Sequence, residues 1–450
     1  MENTSLNTIF KAYDIRGKVG DELNPDVTEA IGNAFGNWLP NKGSVAVGRD
    51  MRPDSKNLAD GLIEGLRKAG RDVIDIGEVT SDMIYFATGH YKLAGGAVVT
   101  ASHNPGEYNG IKLCREEAKP VGEDSGLLEI KDAVISGELA NSKVYGVLKE
   151  KDVCEDWINH VLSFIDPDKL TELNIAVDAG NGMAGKIFPE IEPYLPFNVY
   201  EMYFDLDGTF PNHIANPLEP KNLLDLQSKI KKEKCDAGVA FDGDGDRAVL
   251  VDEKGEALSG TVMTSLLASY FLDKYPSSTI LCNAICGRAA METIEHKGGK
   301  AVRTRVGHSF IKGAMRKYNA VFAGEHSGHY YFKDNFMADS GLIAAIIVLY
   351  ILSLSGKKLS ELAEPYRKSY ISINEINIEV GDKEKAIDDI ANNFSDGKQD
   401  RLDGLTVNYP NSWFNVRPSN TEPLLRFNAE AKTQSELDKL VNKVKEYLPS

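Results

Sequence analysis

The chain has 450 residues, 42% hydrophobic and 26% charged, a composition that suits a soluble globular protein and excludes the disordered, collagen-like and coiled-coil classes. Its formal net charge of -16 argues against nucleic acid or an anionic membrane as the main partner, so the cations for any anionic substrate must be gathered locally. At this length a single hydrophobic core no longer suffices, and two to four domains are expected.

The start, MENTSLNTIFKAYDIRG, lacks the basic end and apolar run of a signal peptide. An apolar strand, SVAVGRD (44–50), then leads into a helical stretch ending in KAG, a second strand, RDVIDIG, and a third, GGAVVTASHNP. The pattern recurs as NIAVDAGNG (174–182), a helix, FNVYEMYFD, a helix around Asn222 to Glu233, and CDAGVAFDGDGDR (235–247). A third copy runs STILCNAICGR (278–288), helix, GKAVRTRVG, helix, NAVFAGEHSGH (319–329).

GLIAAIIVLYIL (341–352) is too short to span a bilayer and follows Asp339 and Ser340, both good N-caps, which predicts a buried helix. Beyond it KSYISINEINIEV alternates as a strand and DKEKAIDDIANNF reads as a helix. LTVNYP, WFNVRPS and PLLRFNAEA read as short strands before the helix SELDKLVNKVKEYL.

The expected fold is therefore α/β: three similar mixed-sheet α/β domains followed by a smaller α+β C-terminal domain. The boundaries are drawn at 1–150, 151–255, 256–366 and 367–450. Cys114, Cys154, Cys235, Cys282 and Cys286 are odd in number and form no CxxC pair, so neither a disulfide framework nor a zinc site is suggested, and a reducing cytoplasm fits.

TASHNP, DGDGDR and GEHSGH each follow the third strand of a unit, and ligands of α/β sheets bind at the carboxyl ends of strands. Asp242, Asp244 and Asp246 alternate with glycines, and three converging carboxylates call for a hard divalent cation, Mg²⁺ before Ca²⁺. An EF-hand is excluded because Arg247 holds the position that needs Gly and the flanks read as strands. Ser102 stands open between a turn residue and a nucleophile: no G-x-S-x-G elbow surrounds it, and neighbouring His103 is expected to point away.

In GEHSGH the glycines rule out a helical zinc pair of His326 and His329, whereas Glu325, Ser327 and His329 on an extended segment could bind sugar hydroxyls. Arg417, Ser419, Asn420 and Thr421 in VRPSNTEP form a donor cluster suited to phosphate, set against a plain Pro-rich turn. Tyr13 and Arg16 in AYDIRG, and Lys112 in NGIKL, add basic and aromatic side chains.

These four motifs, in this order and at these spacings, resemble the α-D-phosphohexomutase family over essentially the whole chain, and most of all its bacterial phosphomannomutase/phosphoglucomutase branch. The resemblance implies four domains around a central cleft, with Ser102 carrying a phosphoryl group that binds Mg²⁺ together with Asp242, Asp244 and Asp246. It places Arg16, His103, Lys112 and Arg247 at the transfer site and Glu325 and Ser327 on the sugar, with His308 and His329 nearby. Tyr13 accompanies Arg16, and the Arg417 to Thr421 loop would hold the nonreacting phosphate.

The implied reaction interconverts mannose 6-phosphate and mannose 1-phosphate through a hexose 1,6-bisphosphate, with glucose phosphates as second substrates. Some dual-specificity relatives have a lysine where this chain has Ile285, which leaves Lys112 or His308 as the acid/base group. Partners are small hexose phosphates, with no nucleic acid and no membrane, for a cytoplasmic monomer or weak dimer. Phosphoglucomutase and phosphoglucosamine mutase are alternatives within the family. A Mg²⁺-dependent sugar phosphatase and a sugar-phosphate-binding protein are alternatives outside it.

Overall fold

The structure is a computed structural model that describes residues 3–419 and 424–448. The chain forms two compact units, Met1–Leu258 with Ser327–Ser360, and Ser259–His326 with Glu361–Ser450.

In the first unit, one sheet contains β1 (Ile15–Lys18), β2 (Val45–Arg49), β3 (Val73–Glu78), β4 (Gly95–Val99), β5 (Tyr108–Arg115), β6 (Lys119–Pro120) and β7 (Leu148–Glu150). Their order is β1-β5-β4-β2-β3-β7, with β6 beside β5. β4, β2, β3 and β7 run parallel, while β5 is antiparallel to both β4 and β1. Val45, Val47, Ala97 and Val99 pack in one core with Ile31, Phe35, Leu58 and Leu62 of two covering helices. Helices Pro25–Trp38 and Ser55–Lys68 meet backbone to backbone, since a Cβ on Gly32 or Gly65 would stand 2.2 or 1.9 Å from a carbonyl oxygen of the facing helix.

A second sheet holds β8 (Leu173–Asp178), β9 (Phe197–Met202), β10 (Ala237–Phe241) and β11 (Ala248–Asp252) in the order β11-β10-β8-β9. Only β11 is antiparallel. The same unit contains the hairpin Tyr330–Phe332 with Ala338–Asp339. The predicted apolar helix follows as Gly341–Ser355, and Ser340 Oγ accepts the Ile343 N–H at 3.1 Å. Being apolar all round, this helix is buried, and among the described residues no single helix is long and apolar enough to cross a membrane.

In the second unit β12 (Thr279–Asn283), β13 (Lys300–Thr304) and β14 (Phe322–Gly324) run parallel, with β12 central. The order third, first, second thus occurs three times, as β4-β2-β3, β10-β8-β9 and β14-β12-β13. The expected repeat is therefore a repeat of topology, and in each copy the motif loop leaves the carboxyl end of the strand beside the central one.

The C-terminal part is an antiparallel sheet of Ser412–Pro418, Leu405–Asn408 and Lys398–Asp400 next to Leu424–Ala431, with helices Lys383–Asn393 and Gln434–Lys445 contributing to its core. The stretch expected to be one strand, KSYISINEINIEV, is two, Ile371–Ser372 and Ile376–Glu379, both on Leu424–Ala431. The pairing shifts by one residue between them, so the chain bulges at Ile373 to Glu375. The Glu375 carboxylate there gathers Arg417, Arg426 and Asn428 at 3.2, 3.3 and 2.9 Å.

Candidate active site

β4 ends at Val99, and the chain turns through Thr100 to Glu107 before returning as β5. Ser102 sits in that turn with φ 51°, a left-handed conformation that costs energy for a residue with a Cβ. Its N–H donates to Thr100 Oγ1 at 2.9 Å, and its carbonyl accepts Arg52 Nη2 at 3.0 Å. Arg52 Nη2 also donates to Asn104 O at 2.6 Å, while Nη1 donates to Pro105 O and Tyr108 O at 2.8 and 2.9 Å. One buried guanidinium, paired with buried Asp50 at 3.3 Å, thus organises the whole loop.

Positive φ overturns the expectation for His103. A side chain alternates to the opposite face only along a strand, whereas the left-handed turn at Ser102 brings His103 Nδ1 to 3.1 Å from Ser102 Oγ. Arg247 Nη2 contacts the same His103 nitrogen. Burial, then the charges of Arg247 and Arg16, hold the His103 pKa well below its ordinary value.

The loop after β10 meets the loop after β4. Ser102 Oγ donates to Asp242 Oδ2 at 2.7 Å and accepts from Arg247 Nη2 at 3.2 Å, and Arg247 Nε donates to the same carboxylate oxygen at 2.9 Å. The approach needs glycine at 243, where a Cβ would stand 2.4 Å from Ser102 O. Asp242, Asp244 and Asp246 are all buried, and one oxygen from each lies within 4.8 Å of the others.

Lys112, on β5, reaches Asp244 Oδ2 and Asp246 Oδ2 at 2.6 and 2.5 Å, and Ser81 Oγ donates to Asp244 Oδ2 at 2.5 Å. Burial works against the Lys112 charge, but these two carboxylates hold its pKa above the ordinary lysine range. Burial would likewise raise Asp246, yet Lys112 and then His329 hold it well below the usual carboxylate range. Asp242 goes the other way, pushed up to about 7 by burial against the pull of Arg247.

This donor set fits a divalent cation. Besides the oxygens already bonded, Asp244 Oδ1 and Asp246 Oδ1 are buried without a hydrogen-bond partner among the described residues, a state that a hard cation would relieve. The antiparallel β10 and β11 flanking the loop agree with the exclusion of an EF-hand.

Arg16, on β1 opposite Gly110, is held by Asp14 at 2.9 Å and donates to Ala101 O and, at 3.0 Å, to Asn104 Oδ1. The half-buried Tyr13 acts electrostatically on Arg16. His329 bridges Arg247 backbone to backbone, and its Nε2 lies 3.6 Å from Asp246 Oδ1.

GEHSGH is not the extended segment that was expected. It turns at His326 and Ser327, and Gly328 has φ +83°, so alternation does not apply. Ser327 Oγ lies 3.1 Å from His329 Nδ1. In the second unit, Glu325 is buried and accepts Asn283 Nδ2 at 3.1 Å, and His308 opens the helix His308–Tyr318. Arg417 and Ser419 are buried near the end of Ser412–Pro418, whereas Asn420 and Thr421 lie outside the described residues.

Arg52, Ser81 and Asn283 were missed by the motif reading. Arg52 carried one available signal, its place in GRDMRP just beyond the carboxyl end of β2, on the same sheet edge as TASHNP.

Profiles of the phosphoglucomutase/phosphomannomutase family match the chain in four pieces. They are alpha/beta/alpha domain I at residues 7–140, domain II at 155–255, domain III at 259–370 and the C-terminal domain at 375–446. A protein of Xanthomonas campestris pv. campestris described as phosphohexose mutases is 40% identical over 430 residues, 95% of this chain and 96% of its own. A phosphomannomutase of Salmonella montevideo is 39% identical over 434 residues, 94% of this chain and 95% of its own. The crystal structure of a phosphoglucomutase/phosphomannomutase family protein from Burkholderia thailandensis superposes with a TM-score of 0.91 at 33% identity, covering 98% of this chain and 96% of that one.

Proposed function

The chain belongs to the phosphoglucomutase/phosphomannomutase family, and from that premise we propose that it is a phosphomannomutase. It interconverts mannose 6-phosphate and mannose 1-phosphate through a phosphorylated Ser102 and a hexose 1,6-bisphosphate, with glucose phosphates as second substrates. The observation that carries this reading is the 2.7 Å bond from Ser102 Oγ to Asp242, inside a buried cluster of three carboxylates crossed by Lys112 and Arg247.

In the forward step the phosphoryl group passes from Ser102 Oγ to a hydroxyl oxygen of a hexose monophosphate. The P–Oγ bond breaks, a P–O(sugar) bond forms, and the hydroxyl proton leaves to a base. The reverse transfer from the other phosphate of the bisphosphate restores the phosphoserine. Phosphoryl transfer asks chiefly for positioning and positive charge. Arg247 supplies both by holding Asp242 while donating to Ser102 Oγ.

Arg16 fixes the serine loop, and Lys112, kept as an ammonium, offsets the carboxylates. That charge suits Lys112 for electrostatic stabilisation, and the acid/base group is Lys112 or His308. Asp242, Asp244 and Asp246, with the serine phosphate, would hold Mg²⁺, which when bound neutralises charge on the transferring group. Glu325, Ser327 and His329 take the sugar side, and Arg417, Ser419, Asn420 and Thr421 take the nonreacting phosphate.

We further divide the chain into domains at 150, 255 and 366, and place it in the cytoplasm as a monomer or weak dimer. The deciding assay supplies Mg²⁺ and trace hexose 1,6-bisphosphate with mannose, glucose or glucosamine 1-phosphate. Fastest conversion of mannose 1-phosphate is expected. Release of free phosphate without a 6-phosphate product identifies a phosphatase instead. Ser102→Ala should lower turnover by about three orders of magnitude or more, and near wild-type turnover would remove the phosphoserine from the mechanism.

A further inference from the structure

Asn283 lies outside all four motifs, yet it is bonded to one of their members. It is the last residue of β12, and Cys282 just before it pairs with Gly324, so two adjacent parallel strands end with Asn283 beside Glu325. Both side chains are buried, Asn283 fully, and Asn283 Nδ2 donates to Glu325 Oε2 at 3.1 Å.

A carboxylate only accepts hydrogen bonds, so Glu325 dictates how the amide faces: Nδ2 is spent on the carboxylate and Oδ1 is left on the other side. Among the described residues, Asn283 Oδ1 is buried without a hydrogen-bond partner. Such an oxygen is costly to keep dry and is relieved by any ligand that brings a donor.

The backbone beneath it is clamped. Arg303 Nη1 donates to the carbonyls of Asn283, Ala284 and Cys286 at 3.3, 2.8 and 3.0 Å, and the Cys286 N–H closes on Asn283 O at 3.1 Å. The amide therefore projects from a loop end whose own backbone oxygens are already engaged.

We infer that Asn283 is a specificity residue of the sugar site: it positions Glu325 through Nδ2 and offers Oδ1 to a hydroxyl of the hexose. The inference rests on the reading of Glu325 as a sugar contact. The Glu325 carboxylate and Asn283 Oδ1 are both acceptors, a chemistry that suits hydroxyl donors and not phosphate. The ligand class is thus the polyhydroxylated ring of the substrate and not its charged ends.

The test is Asn283→Asp, which keeps size and the acceptor oxygen but replaces the donor with a second carboxylate. The two acids must then share a proton to stay in contact. Against mannose 1-phosphate at neutral pH, kcat/KM should fall about ten- to a hundredfold, chiefly through KM. The deficit relative to wild type should shrink as the pH is lowered and the shared proton returns.

Asn283→Ser, small and uncharged, should show a loss that does not vary with pH. It also preserves a readout if the Asp variant folds poorly. A constant ratio of wild type to Asn283→Asp across pH, or an unchanged KM in both variants, overturns the inference. An unchanged KM in Glu325→Gln removes instead the reading of Glu325 on which it stands, so the two failures are distinguishable.

Discussion

Replacing Arg52 by methionine would test whether one buried cation sets the geometry of the serine loop. The wild-type guanidinium makes four hydrogen bonds to carbonyls of residues 102 to 108 and pairs with Asp50. Asp50 keeps Ser55 and the Arg52 N–H as partners, but its charge would be left buried without a counterion. Breaking a buried ion pair from one side costs about 3–5 kcal/mol.

If that cost falls on local opening of the loop, the open population rises by about two to three and a half orders of magnitude, at roughly 1.4 kcal/mol per tenfold. Hydrogen exchange of the segment from Thr100 to Gly110, read by mass spectrometry, should report that acceleration while the C-terminal sheet is unchanged. Turnover should fall with it, because Ser102 loses its left-handed turn. Arg52→Lys should fall between the two, since it retains a charge for Asp50 but lacks the planar fork that reaches several carbonyls. Wild-type exchange rates and turnover in Arg52→Met would refute the reasoning.

Gly243→Ala places a methyl group 2.4 Å from Ser102 O and should cost about 1–3 kcal/mol by forcing the two loops apart. Its unfolding curve and turnover should both suffer, and an indifferent variant would mean that the two loops have room for a methyl group between them. His213, 3.0 Å from Asp178, has its pKa lowered by burial but raised on balance by Asp178, so the folded state binds the proton more tightly. That stability is fully present below the unfolded value of about 6.5 and is lost as pH rises through the folded pKa. His213→Gln should therefore destabilise more at about pH 5.5 than at about pH 8, measured by chemical denaturation, and an equal loss at both would exclude the linkage.

The strands, the buried helix Gly341–Ser355 and the loops that carry chemistry were legible because each is a local pattern. Apolar runs, N-cap residues and alternating Asp-Gly act over a few residues, and a threefold repeat told where in each unit a ligand loop should stand. Local patterns failed where the backbone leaves regular structure. Positive φ at Ser102 and Gly328 redirected His103 and the GEHSGH side chains, and a one-residue bulge divided the strand around Glu375.

Nor could spacing along the chain disclose the partners that finish the site. Arg52 meets Ser102 across 50 residues, Ser81 meets Asp244 across 163, and Asn283 meets Glu325 across 42. Those encounters follow from which strand ends lie side by side, and strand order is decided by packing rather than by local propensity. The sequence by itself determined the kind of chemistry this protein carries, because reactive residue types and their glycine punctuation are written consecutively. Only the tertiary structure decided which charges oppose one another, because burial and pairing belong to residues that meet in space.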